Sequence, residues 1–187
     1  MIGQSMTWIA SDGGPHLLLP AEAVERWRPH IQQRQSVVST AGRNFTYYES
    51  ACSIASQTNI GPIEVDGITG VVLGGDEVPL STWIPFRNGI GGYVVIALEW
   101  SSNPTDDDLQ MSVHHLPNVA FQSNDFALTT SREGLVLFAA SDSPINWVYR
   151  HLKIAVPAGQ YAIDSAECDV DQYALLRIHR FTFVATR

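Results

Sequence analysis

The stretch from Tyr93 to Leu98 reads YVVIAL and is apolar at every position. Side chains on a β-strand point alternately to opposite faces. An unbroken apolar strand is therefore stable only where both faces of its sheet are covered. This one segment demands a sheet with a layer on each side. Four further runs share the β-branched and aromatic bias: GVVL at 70–73, LVLFAA at 135–140, HLKIAV at 151–156 and YALLRIHRFTFVA at 173–185. Most are bounded by Gly, Pro, Asn or Asp, which end strands in turns. Helix signals are fewer. PAEAVERW at 20–27 opens on Pro and continues with good helix formers. TDDDLQM at 105–111 has Thr105 as an N-cap and three Asp in the first turn, where the helix dipole favours negative charge. The stretch from Pro29 to Asn44 is polar and reads as a loop. The expectation is one all-β domain over 1–187, sandwich or barrel-like, with two or three short helices.

An internal similarity adds to this. GVVLGGDEVPLSTW (70–83) and GLVLFAASDSPINW (134–147) have equal length, start with Gly and end in Trp. Each leads to a glycine-tyrosine strand start: GGYVVIALEW at 91–100 and AGQYAIDSAEC at 158–168. The spacing from Tyr93 to Glu99 equals that from Tyr161 to Glu167. The pattern predicts two related β-units, near 57–100 and 122–168, packed as parts of one sandwich or barrel.

The glycine-rich segment Ser11 to Pro15, SDGGP, lies between the apolar runs Trp8-Ile9 and Leu17-Leu18-Leu19. It lacks the Lys-Ser/Thr of a phosphate-binding P-loop and the GxGxxG of a dinucleotide site. Asp12-Gly13 suits a tight turn, because both central residues accept positive φ. The expectation is a hairpin joining TWIA to HLLL.

Candidate chemistry is sparse. His114-His115 would point to opposite faces of a strand and could not share a metal. Asp106-Asp107-Asp108 lacks the ligand spacing of a calcium loop. Arg177 and His179 share a strand face with Tyr173, Leu175, Phe181 and Phe183. That pattern reads as an ion pair or hydrogen bond satisfied at the sheet margin. Cys52 and Cys168 form no CxxC pair and carry no catalytic signature. No GxSxG elbow is present. The expectation is no catalytic, cofactor-binding or metal-ligating residue and no enzymatic activity.

The 187 residues include 19 Asp and Glu against 11 Lys and Arg, a formal net charge of −8. That balance disfavours nucleic acid as a direct partner, since phosphates repel carboxylates, and suits a basic protein partner. MIGQSMTWIA at the N-terminus has no basic region followed by a long apolar stretch, so no signal peptide is expected. No window is long and apolar enough to span a bilayer. A cytoplasmic chain with reduced thiols follows as the expectation.

Several stretches resemble, in serial order, the immunity protein 21 family of bacterial polymorphic toxin systems. They are Trp8-Ile9, Ser11 to Pro15, Leu17 to Pro20 with Trp27, YYESAC at 47–52, VVLGGDEVPLSTWIP followed by GGYVVIALEW, LKIAVPAGQYAIDSAE, and YALLRIHRF. His16 departs from the pattern, standing where an apolar residue is expected. The resemblance implies a mostly-β, non-enzymatic protein that binds the effector domain of a cognate toxin and protects the producing cell. Many such effectors act on nucleic acid, and a basic nuclease domain would complement the charge of this chain. On that basis Asp76, Glu77, Asp106, Asp107 and Asp108 are candidate toxin contacts. The competing class is a small-molecule or carbohydrate-binding β-domain, or a hydrolase whose site assembles only in space; five Trp and six Tyr would suit stacking on a sugar.

Overall fold

In the computed structural model, residues 6–11, 13–29, 45–74, 80–100, 119–142, 151–171 and 174–185 are described. They form two antiparallel sheets packed as a sandwich, without closure into a barrel. The strands are β1 (Ile9–Ala10), β2 (His16–Pro20), β3 (Ile60–Val65), β4 (Ile68–Leu73), β5 (Leu80–Pro85), β6 (Gly91–Trp100), β7 (Gln122–Thr130), β8 (Leu135–Ala139), β9 (Leu152–Ile154), β10 (Gly159–Asp171) and β11 (Ala174–Ala185). Two helices, α1 (Ala21–Val24) and α2 (Tyr47–Thr58), complete the described elements. The larger sheet has the order β1-β5-β6-β11-β10-β7 and the smaller one β3-β4-β2-β8-β9.

The space between the sheets is filled by Ile9, Val94, Ile96, Leu128, Tyr161, Ile163 and Phe181 from the larger sheet. Facing them are Leu18, Ile60, Val71, Leu73, Leu135, Leu137 and Ile154 from the smaller one. Tyr93 to Leu98 behaves as its composition requires. Val94 and Ile96 enter this core, while Val95 and Ala97 join a second apolar cluster on the outer face with Ile84, Leu176 and Ile178. β4 and β8 flank β2, and β6 and β10 flank β11. Tyr93 points to the outer face and Tyr161 into the core.

The outer face of the smaller sheet is covered by the helices. Leu17 and Leu19 of β2, with Val72, Val136 and Phe138, pack against Ala23, Val24, Trp27, Tyr47 and Ala51. Trp27 is fully buried, its Nε1–H donates to the Ala140 carbonyl at 3.2 Å, and its ring lies 5.5 Å from Tyr47 and 6.3 Å from Phe138. α1 is shorter than the stretch 20–27 read from sequence, and 105–111 lies outside the described residues. α2 is not among the helices expected above, although its signal is local. Thr46 accepts from the Glu49 amide and Glu49 accepts from the Thr46 amide, a capping box, and Asn59 closes the helix at φ 61°.

The SDGGP segment is a turn but not a hairpin. β1 pairs with β5 in the larger sheet, whereas β2 pairs with β4 and β8 in the smaller one. The turn therefore carries the chain from one sheet to the other. Ser11 Oγ both donates to the Gly14 carbonyl at 2.7 Å and accepts from its amide at 3.1 Å, and Gly13 takes φ 87°. The reason is burial. Leu17 to Leu19 are buried on both faces, so β2 needs two strand neighbours, and β4 and β8 supply them.

Trp27→Ala is expected to lower stability by about 3–5 kcal/mol and Thr46→Ala by about 1 kcal/mol. Urea unfolding of the two variants checks this. A smaller loss for Trp27→Ala than for Thr46→Ala would contradict the packing of the helical layer.

Candidate functional site

Two sets of side chains stand out, one inside the sandwich and one on its outer face. The inner set begins with Arg177 and His179 on β11. Odd-numbered residues of this strand face the sandwich core, as Phe181 does. Neither residue sits at the sheet margin expected above, because β11 lies between β6 and β10 in the middle of the larger sheet. They are satisfied differently. The Arg177 guanidinium bonds Glu167 Oε1 through Nε (3.0 Å) and Nη2 (2.7 Å), and reaches across to the Gly74 carbonyl just beyond β4 through Nη1 (3.1 Å). It ties the two sheets together at one end.

His179 is fully buried, and its Nδ1 lies 2.7 Å from Ser165 Oγ. Asn124 Nδ2 donates to the same Oγ at 2.8 Å, which leaves the Ser165 hydroxyl proton for His179 Nδ1. Burial, with the nearby Arg177 charge second, pushes the His179 pKa down to about 3. A histidine so weakly basic stays neutral near pH 7 and is a poor general base there. No carboxylate bonds its Nε2, so the pair lacks the orienting group of a catalytic triad. The Ser165–His179 bond joins β10 to β11 within the larger sheet. Among the described residues, no group of three or more His, Cys, Asp or Glu is placed to hold a metal ion.

The outer set lies on the outer face of the larger sheet, beside the apolar cluster around Val95 and Ile178. Tyr93 on β6 stands opposite Arg180 on β11, and Arg180 opposite Asp164 on β10. Arg180 bonds Asp164 Oδ2 through Nε (3.0 Å) and Nη2 (2.7 Å), and its Cζ lies 4.1 Å from the centroid of the Phe121 ring. Phe121 stacks on Tyr93 at 6.5 Å, and Tyr93 meets Phe86 edge to face at 4.8 Å. Each of these side chains is half-buried. Exposed Ile90 and Val184 lie at the same end of the molecule, beside the β5–β6 turn and at the end of β11. Aromatic residues and arginine held rigidly on a partly exposed surface are the side chains that dominate protein recognition. Sequence reasoning missed this row. Its members come from distant segments, and strand register brings only Tyr93, Arg180 and Asp164 side by side.

Of the acidic candidates, Asp76, Glu77, Asp106, Asp107 and Asp108 lie outside the described residues, as do His114 and His115. Cys52 sits partly buried on α2 and Cys168 partly buried on β10, both as free thiols.

These residues belong to an antiparallel β-sandwich protein with a row of aromatic rings and an arginine on the outer face of its larger sheet. The chain belongs to the Immunity protein 21 family, whose family model matches residues 7–174. No curated protein and no solved structure matches it.

Ser165→Ala removes the hydrogen bond that the structure gives His179 and is expected to lower stability by about 1–3 kcal/mol. Chemical denaturation measures the loss. Toxin binding by the folded variant should be unchanged, and a folded variant that binds normally yet fails to protect would reveal chemistry at this pair.

Proposed function

We propose that this chain is a non-enzymatic immunity protein of a bacterial polymorphic toxin system, which acts in the cytoplasm by binding the effector domain of its cognate toxin. The observation that carries the reading is the family match over residues 7–174. The Phe86–Tyr93–Phe121–Arg180 row is the contact surface that fits it best. Its rings and guanidinium are already packed against one another, so little side-chain freedom is lost on docking. The Arg180–Asp164 pair adds geometric definition more than affinity, as partly exposed ion pairs contribute only about 0–1 kcal/mol.

The net charge of −8 gives the partner its expected character. A nuclease effector holds phosphates with Lys and Arg, and opposite fields speed the encounter of two such proteins. In this reading Asp76, Glu77 and Asp106 to Asp108 steer association, while the aromatic row sets the lifetime of the complex.

Binding kinetics against the purified effector domain separate these roles. Tyr93→Ala is expected to weaken binding at least tenfold, about 1.4 kcal/mol or more, mainly through faster dissociation. Changing Asp106, Asp107 and Asp108 together to Asn is expected to slow association and flatten its salt dependence while changing dissociation less. Wild-type affinity in a folded Tyr93→Ala variant would remove the aromatic row from the interface. An unchanged on-rate at low salt would remove the acidic cluster.

A further inference from the structure

His16 and His179 face the same core from opposite sheets. His16 on β2 is fully buried, and neither of its ring nitrogens makes a hydrogen bond of normal geometry. Its cross-strand partners are Leu73 and Ala139, and the backbone of Ile9 in the other sheet lies beside its ring. His179 on β11 holds Ser165 by one nitrogen, and its buried Nε2 makes no bond. The two sites are linked through Gly74, which follows Leu73, the partner of His16, and whose carbonyl accepts from Arg177, two residues before His179.

The charged surroundings of His179 are poorly suited to further positive charge. On β11, Arg177 is a fixed cation. On β10, Glu167 already accepts two bonds from that guanidinium and is half-exposed, while Ser165 and Tyr161 are neutral. β7 offers the Asn124 amide, β1 and β5 offer Ile9 and Ser81, and β4 offers the Gly74 carbonyl. Beyond β8 the buried Asp142 stands three residues from Ala139. Asp142 and Arg177 are the fully charged types among the buried polar residues described.

We propose that His16 and His179 form an acid-sensitive latch in the core of the sandwich: the fold keeps both buried rings neutral, and acidification destabilises it and weakens its hold on the bound toxin. Burial holds His16 down to about 4 and, with Arg177 adding to it, His179 down to about 3. The ordinary value in an unfolded chain is near 6.5. The unfolded state therefore takes up both protons as pH falls through 6.5, whereas the folded state takes neither until below about 4. The stability due to the neutral rings is complete above pH 6.5 and declines steadily below it. Release of toxin rests on the immunity reading; the latch itself does not.

Urea unfolding of the free full chain between pH 7.5 and 5.0 tests the latch. Each buried histidine is expected to raise the unfolding constant roughly thirtyfold across that range, and the two together roughly 800-fold. His16→Leu puts an apolar residue where the family pattern expects one. It should fold, be at least as stable as the wild type at pH 5.0, and cut the pH effect to about thirtyfold. Loss of His179 strands Ser165, so its proton is read in the wild type instead. Calorimetric unfolding at pH 5.5 in buffers of different ionisation enthalpy should show uptake of close to two protons, falling by about one in His16→Leu. An unchanged pH effect in His16→Leu, or an uptake below one proton in the wild type, overturns the latch. In the complex, acid release of toxin should be weaker with His16→Leu. Equal release from both proteins, with the free-chain results as expected, overturns only the link to toxin release.

Discussion

Leu17, Leu18 and Leu19 divide the molecule into its layers. Leu18 points between the sheets, where it meets the core of the larger sheet, while Leu17 and Leu19 point the other way, into the layer built by α1, Trp27 and α2. All three are completely buried. Covering a leucine from water is worth about 1.5–3 kcal/mol, and a strand buried on both faces must also pair on both edges, because its amides and carbonyls have no water to turn to. β4 and β8 meet that need. The crossing of the SDGGP turn between sheets, the helical cover and the position of the larger sheet all follow from this demand.

The same core contains a polar end that does not follow from it. Arg177 spans the sheets, and its net contribution to stability is small, because desolvating a guanidinium offsets much of what its bonds return. The histidines weigh on the other side. Burial of an unpaired imidazole costs free energy even when neutral, and a charged one costs more. For both rings desolvation is the larger effect, and for His179 the field of Arg177 acts in the same direction.

The aromatic row lies on the opposite face of the larger sheet. The row from Phe86 to Arg180 has few degrees of freedom left, since each ring is held by its neighbour and the guanidinium by both Asp164 and Phe121. Such a surface suits a protein whose task is to hold a partner. An immunity protein needs affinity and persistence, which rigid aromatic anchors supply, together with a fast encounter, which net charge supplies.

Residue pattern alone established the β class, the need for cover on both faces of Tyr93 to Leu98, and the family, because each depends on side chains close together in the chain. The capping box that starts α2 was equally local and readable in Thr46 and Glu49. Pairing decided the rest. TWIA and HLLL read as hairpin arms, yet β1 and β2 went to different sheets, because the apolar count of β2 required neighbours that sequence distance conceals. Arg177 and His179 read as marginal, yet the register of β11 placed them in the core beside Ser165, Glu167 and Gly74. The aromatic row was invisible for the same reason. Local sequence specifies which side chains a strand presents, and only the tertiary fold decides what stands opposite them.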